Sequence, residues 1–327
     1  QMLKFLTPPL RSNLVNYRPL MLSTAMLIGG WLNAQVATSY TFSQGSGSYS
    51  EITGGTLLWG GFAGSFDNQV SGAQTIPSFN FNGTTYTQMY VSANGFVTFG
   101  SAPSGTNFTP ISGGATYAGA ISAFGADIEN RSDGFNTRDV RWQTVGNEVV
   151  IQWRNARRQN VSNENLNCQI RLNTATNVVR MIYGSSSGQS STSFQPEVGL
   201  RGADNTFSTN VNNRTVGSGA ENWASSLVGA DNASKMRFTS TAPAKGFTSG
   251  LTYTFTPCAS PALNVTPANP SYCTGGSTSL TASGATSYTW VPATGLSATT
   301  GASVTANPTT TTTYTVTGLN AGCAFAG

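Results

Sequence analysis

The chain of 327 residues contains no histidine. That removes the commonest general base near neutral pH and the commonest imidazole metal ligand. It also removes Ser-His-Asp and Cys-His nucleophilic arrangements. Charge is nearly as scarce, at 9% of residues, against about 25% in ordinary soluble domains. The formal balance of +4 is misleading, because Lys4, Arg11 and Arg18 sit in an opening stretch without acids. Removing those three from the 16 basic residues leaves 13 against 12 acidic ones. No basic stripe remains to attract a phosphate backbone, so no nucleic-acid partner is expected. Cysteine is limited to Cys168, Cys258, Cys273 and Cys323.

Glycine, serine, threonine and asparagine fill the space that charge leaves. Threonine suits strands, and glycine and asparagine suit turns. Aromatics at 10% argue against disorder. The opening residues 2–35 have the anatomy of a signal peptide. A basic leader precedes an apolar run from about Leu20 to Leu32, followed by Asn33-Ala34-Gln35. Cleavage is expected between Ala34 and Gln35, so residues 1–34 read as a signal peptide. The apolar run is short for a membrane span, and the mature chain is expected to carry no transmembrane anchor.

From Val36 to Pro257 the pattern is strand, turn, strand. "TYTQMYVSANGFVTFG" (85–100) places two β-rich runs around Asn94-Gly95, which predicts a tight hairpin. In "NEVVIQWRN" (147–155), Val149, Ile151 and Trp153 share one face. In "LNCQIRLNTATNVVRMIYG" (166–184), Leu166, Cys168, Ile170 and Leu172 do the same before a polar turn. Strict alternation means one buried face and one wet face, as in an antiparallel sandwich. No window shows a helical period. Residues 36–257 therefore read as one large β-sandwich, jelly-roll-like, of about 220 residues. Prolines at 257, 261, 267 and 270 mark a boundary. Beyond it, in 258–327, short alternating segments continue. They include Thr278, Leu280 and Ala282, then Tyr288 and Trp290, then Tyr314 and Val316. The run Thr309–Thr313 reads as the lead-in to a late strand rather than as a glycan-bearing linker.

Two resemblances follow from these residues. "CTGGSTSLTASG", "SYTWVPATGLS" and "TTTTTYTVTG" resemble the immunoglobulin-like or PKD-like repeats of bacterial surface adhesins. Trp290 would be the core aromatic, and Ala282 and Val316 sit where an antibody domain has its inter-sheet disulfide. Cys273 and Cys323 bracket this module and are expected to staple its ends, with Cys168 and Cys258 left unassigned. The segments "YTFSQGSGSYSEITGGTLL", "YVSANGFVTFG", "VIQWRN", "VVRMIYG" and "VGLRG" resemble the N-terminal β-sandwich of surface proteins exported by the bacterial type IX secretion pathway. That resemblance implies an exported surface or adhesive protein and does not imply a ligand. The C-terminal sorting domain of such proteins is not visible, which fits a chain cut short at Gly327.

Residues that could carry chemistry are few. Asp127, Glu129 and Asp133 in "GADIENRSDG" offer the hard oxygens that calcium takes. Arg131 falls where an EF-hand-like register from Glu129 needs a ligand, so a solvated loop is the stronger reading. Asp127 and Glu129 could also be drawn as a carboxylate pair, but nothing places them across a sugar. Arg154, Arg157 and Arg158 could grip an acidic glycan, and such runs are more often a solvated strand end. Trp59, Trp142, Trp153 and Trp223 could stack on sugars or fill the core. Asn82, Asn107 and Asn264 head glycosylation sequons that are expected to stay bare in a bacterial protein. The sequence thus predicts a secreted or outer-surface adhesion or recognition protein, not an enzyme, with no cofactor and a ligand that is a glycan or a protein. A carbohydrate-binding sandwich, or the non-catalytic front of a larger secreted enzyme, remains the alternative.

Overall fold

A computed structural model describes residues 36–60, 66–130, 138–161, 164–187, 194–217, 221–238, 246–258, 263–268, 270–273 and 275–320. At 17–19, 37–38, 319–320 and 323–326 it describes the backbone alone. The expected signal peptide, its cut between Ala34 and Gln35, and Asp133 lie outside the described residues, apart from the backbone of Tyr17–Pro19.

In chain order the first strands are β1 (Tyr17–Pro19), β2 (Tyr40–Ser46), β3 (Thr56–Gly60), β4 (Gln74–Phe81), β5 (Thr84–Ser92), β6 (Phe96–Phe99) and β7 (Gly119–Gly125). Then come β8 (Ile128–Asn130), β9 (Asp139–Val145), β10 (Glu148–Arg158), β11 (Leu166–Asn173), β12 (Val179–Tyr183), β13 (Glu197–Arg201), β14 (Val211–Thr215), β15 (Leu227–Val228) and β16 (Leu251–Pro257). The last are β17 (Asn264–Thr266), β18 (Ser271–Cys273), β19 (Thr278–Ser283), β20 (Ser287–Val291), β21 (Ser303–Ala306), β22 (Thr315–Asn320) and β23 (Cys323–Ala326). Helix is confined to the single turns α1 (Val36–Ser39) and α2 (Phe207–Asn210) and a 3-10 turn at Trp223–Ser225.

The chain divides into two compact units, Leu32–Cys258 and the remainder. The larger unit is an antiparallel β-sandwich. One sheet has the order β2-β16-β12-β11-β10-β9-β3, with β8 also on β10, and the other has the order β15-β14-β13-β7-β6-β5-β4. Their inner faces share one core, in which Val149, Ile151 and Trp153 meet Leu166, Cys168, Ile170 and Leu172 from one sheet, and Met89, Val91, Val97 and Phe99 from the other. These are the faces that the alternation predicted. Each fully buried leucine- or phenylalanine-sized side chain contributes about 1.5–3 kcal/mol, so this shared core is the main source of stability.

Both outer faces are partly roofed. Residues 47–55 leave β2 at one edge of its sheet, cross the face, and become β3 at the other edge. Three of the five strands between supply polar hooks. Gln169 Nε2 on β11 donates to Ser50 O at 2.8 Å, Gln152 on β10 bonds Ile52, and Arg141 on β9 donates to Thr53 O and Gly54 O. On the other sheet, residues 101–118 are held down by two side chains of β13 that point away from the core. Glu197 accepts from Ile111 N at 2.7 Å and Ser112 N at 3.1 Å. Arg201 donates to Gly113 O at 2.7 Å and Ala115 O at 2.6 Å, and lies 4.5 Å from the Tyr117 ring centroid. Buried polar groups persist only when so satisfied.

One local expectation changes. Ser92 pairs with Phe96, so the first hairpin closes through three residues, 93–95, rather than two. Only Gly95 takes a positive φ, and a Cβ there would sit 2.3 Å from Phe124 O. Asn94 is buried instead and works as a hub, donating to Gly105 O at 2.9 Å and accepting from Ile128 N at 3.2 Å. In the smaller unit, the strand after the threonine run begins at Thr315, and Thr309–Thr313 are not themselves strand.

The smaller unit is a miniature sandwich of two three-stranded sheets, β17-β19-β21 and β20-β22-β23. Its core holds Trp290 at its centre with Leu280, Ala282, Val304, Tyr314 and Val316. Trp290 Nε1 donates to Gly301 O at 2.9 Å. Ala282 and Val316 face each other's sheet, as the immunoglobulin-like resemblance implied. Separately, β1 pairs with β18.

Candidate functional site

The arginine run is not a solvated strand end. Arg154 pairs with Asp139, which is fully buried, and with Glu51 at 3.0 Å. Arg157 meets Glu129 at 2.9 Å, and Arg158 meets Glu164 at 2.7 Å. The Arg158 guanidinium also lies 5.2 Å from the Phe194 ring centroid. The run spans strand β10, whose outward positions face the strap and neighbouring loops rather than water, and sequence spacing alone does not reveal that cover.

The tryptophans are core or anchored. Trp153 and Trp223 are fully buried, with Nε1 donating to Ser92 O at 3.0 Å and to Arg237 O at 2.7 Å. Trp142 is half-buried and donates to Gln74 Oε1 at 2.9 Å. Trp59 packs against the main core. None of the four stands free as a stacking platform.

Of the calcium candidates, Asp127 lies between β7 and β8 and Glu129 lies on β8. Glu129 accepts from Asn160 N at 3.0 Å in addition to Arg157. Asp127 has Asp67 beside it, from sixty positions upstream, a proximity that no sequence spacing signals. Burial, then repulsion from Glu129, raises the Asp67 carboxyl above its usual value. Burial, then Asp67 and Glu129, does the same to Asp127. One oxygen of each is buried without a hydrogen-bond partner. Among the described residues no group of three or more acids or cysteines is arranged to hold a metal ion.

The expected Cys273–Cys323 staple is corrected. Cys273 is a free, exposed thiol, whereas Cys258 is disulfide-bonded. The reason lies in the strand layout: Cys273 ends the short strand β18 and points outward, away from the module's core. The side chain of Cys323 lies outside the described residues. Cys168 is a free thiol in the core, and burial pushes its pKa up to about 12, which leaves it inert.

A groove of about 190 Å³ runs along β5, lined by Thr85, Tyr86, Thr87, Gln88, Tyr90 and Gly100. Tyr86 is held in place by stacking on Phe99, with ring centroids 4.8 Å apart. Met89 and Val91 point into the core, so Gln88 and Tyr90 point out. Between Thr75 and Phe79 the partner strand β4 bulges, setting Ile76, Pro77 and Ser78 against Thr87 alone. Gly100 closes the groove with φ +83°, and a Cβ there would sit 2.8 Å from Ala118 Cβ. No charged residue lines it.

Comparison with known proteins places this geometry. No curated protein and no solved structure matches the chain. The model of the NIDO-related domain does match, over residues 39–257, from the start of β2 to the end of β16, and the chain belongs to this family of extracellular-type domains.

Proposed function

We propose that this is a secreted or cell-surface, non-catalytic adhesion or recognition protein, exported by the type IX route, in which the small PKD-like module is a spacer. The observation that carries the reading is the match to the NIDO-related domain, an extracellular-type domain, over residues 39–257. Elsewhere in the domain, the residues best suited to chemistry are tied into the architecture. Glu129, the more reachable half of the one drawn carboxylate pair, is held by Arg157 and Asn160 N. A chain without histidine also lacks the usual proton shuttle. No helix among the described residues is long and apolar enough to cross a membrane.

Beads coated with the chain should be retained on polysaccharide- or glycoprotein-coated surfaces above albumin-coated beads. The chain should leave chromogenic glycosides and casein unhydrolysed. Retention at the albumin level on every surface, or turnover lost in Asp127→Asn, would overturn the reading.

A further inference from the structure

We propose that the free edge of β15 is the docking surface for an acidic, extended peptide segment of a partner protein. The segment adds to β15 as a further strand, rests apolar side chains on Leu227 and Val228, and sets a carboxylate on the guanidinium of Arg214. The inference deepens the recognition reading above and rests on it.

Arg214, on β14, is only 6% exposed. No carboxylate among the described residues pairs with it, whereas Arg141, Arg154, Arg157, Arg158, Arg171 and Arg180 each have one. Its Nε and Nη2 are spent on Ser226, with Nη2 donating to Ser226 O at 2.7 Å, and Nη1 has no hydrogen-bond partner. The guanidinium carbon lies 3.6 Å from the Phe42 ring centroid, an attraction that holds the group without neutralising it. Burial lowers its pKa to about 10. A buried charge is costly unless it is paired, and an arriving carboxylate supplies the missing pair. Ser226 immediately precedes β15, so the bonds from Arg214 draw its guanidinium toward that edge.

The edge itself is unguarded. β15 ends its sheet, and Val228 stands opposite Arg214 in the ladder. Gly229 N–H donates to Asn213 O at 2.9 Å. Backbone groups alternate in direction along an antiparallel strand, so the N–H and C=O of Val228 point away from β14. Leu227 and Val228 are the most exposed large hydrophobic residues among those described, at 61% and 65%. As neighbours on a strand they project to opposite faces, and an added strand would cover one with each of its own faces. Edge strands are ordinarily blunted by charge or proline, and residues 224–230 contain neither. Strand addition draws affinity from such free backbone groups and specificity from the side chains beside them.

Other occupants fit less well. A second copy pairing β15 with β15 would bring a second unneutralised Arg214 to the same edge. An acidic glycan would meet the cation but make no use of a strand edge or of Leu227 and Val228. A nucleic acid is held by several cations, and one is present.

The test is selection of displayed random nonapeptides on the whole chain. Enriched peptides should carry Asp or Glu within a run of β-branched or aromatic residues, and Arg214→Gln should enrich none of them. The leading sequence, made synthetically and followed by fluorescence anisotropy, should bind about tenfold or more weakly once its acid is replaced by the amide. Leu227→Ser and Val228→Ser should each weaken it by about fivefold or more. Both positions are exposed, so these variants should leave the unfolding midpoint in place and guard against a folding artefact in Arg214→Gln. No enrichment, enrichment of peptides without an acid, binding indifferent to Arg214→Gln or to both serine variants, or preference for polygalacturonate at Arg214 overturns the proposal. Retention of coated beads that survives Arg214→Gln would sink this edge and leave the recognition reading standing. Peptide binding without bead retention would do the reverse.

Discussion

Gln152 and Ile52 are hydrogen-bonded to each other in both directions. Ile52 N–H donates to Gln152 Oε1 at 2.9 Å, and Gln152 Nε2 donates to Ile52 O at 3.1 Å. A side-chain amide here does for the strap what a neighbouring strand does for a strand: it satisfies one donor and one acceptor of the same residue. Both atoms of the amide have second partners, in Gln169 Nε2 at 2.9 Å and Asp139 Oδ1 at 3.4 Å.

Gln152→Ala should therefore cost about 2–4 kcal/mol, since two buried backbone groups of Ile52 lose their partner. Urea denaturation of the chain measures the loss, and limited proteolysis should find new cuts within 47–55. A loss below about 0.5 kcal/mol, the size of an ordinary surface substitution, would show that water replaces the amide without penalty.

Arg201→Lys should release the cover over the second sheet. The guanidinium serves Gly113 O, Ala115 O and Tyr117 Oη from a rigid fork, and a single ammonium cannot reach all three. The expected cost is about 1–3 kcal/mol, with faster protease cleavage in 101–118 as the local signature. Unchanged cleavage would mean that Glu197 holds the cover by itself.

The pair Asp67 and Asp127 should make stability fall as pH rises through the acid range. Both carboxyls have folded pKa values above the ordinary 3.8. A carboxyl raised in the folded state binds its proton more tightly there, so ionisation disfavours folding. The penalty is absent below the unfolded pKa and complete above the folded one. Asp127→Asn should stabilise the chain at pH 7 by less than about 1 kcal/mol, because solvent screens these groups. The gain should close on acidification toward 3.8. A variant less stable than the parent at pH 7 would contradict this, and a calcium titration would then show whether a cation compensates the charges.

Thiol chemistry should separate the cysteines. Cys273 should alkylate promptly in the native chain, Cys168 only after unfolding, and Cys258 only after reduction. Cys273→Ser should leave the melting temperature within about 1 °C of the parent, a shift corresponding to only a few tenths of a kcal/mol. Recovery of a bridged Cys273 peptide from the native chain would restore the end staple that the spacing suggested.

The sequence disclosed the alternating core more readily than the roofs above it. Val149, Ile151, Trp153 and the face from Leu166 to Leu172 were legible because period two is a local property. So was the core role of Trp290. The destination of Arg154 was not, since its partners Asp139 and Glu51 come from β9 and from a strap that crosses five strands. Asp67 joined Asp127 for the same reason: the contact is made by topology and leaves no spacing signal. Asn94 misled in a different way. An Asn-Gly pair usually marks a two-residue turn, but the buried Asn94 side chain is needed by Gly105 O and Ile128 N, and the turn lengthens to serve them. The β5 groove had no motif. Tyrosine, threonine and glutamine are ordinary strand residues, and nothing in their order marks a recess.

Tyr40 faces Pro257 across the first rung of the β2–β16 ladder, and Cys258 N–H donates to Ser39 O at 2.8 Å just beyond it. The large sandwich thus takes in and gives out its chain at a single place. Tension applied on both sides would not pass through the body of the domain. It would pull across that rung, along the direction of antiparallel hydrogen bonds, and load them one after another, as a zipper is opened rather than as a lap joint is sheared. β2 is the edge strand of its sheet, and beyond the ladder it is held by side-chain bonds alone, among them Asn212 Nδ2 to Tyr40 O at 3.2 Å and Gln44 Nε2 to Ala224 O at 2.6 Å.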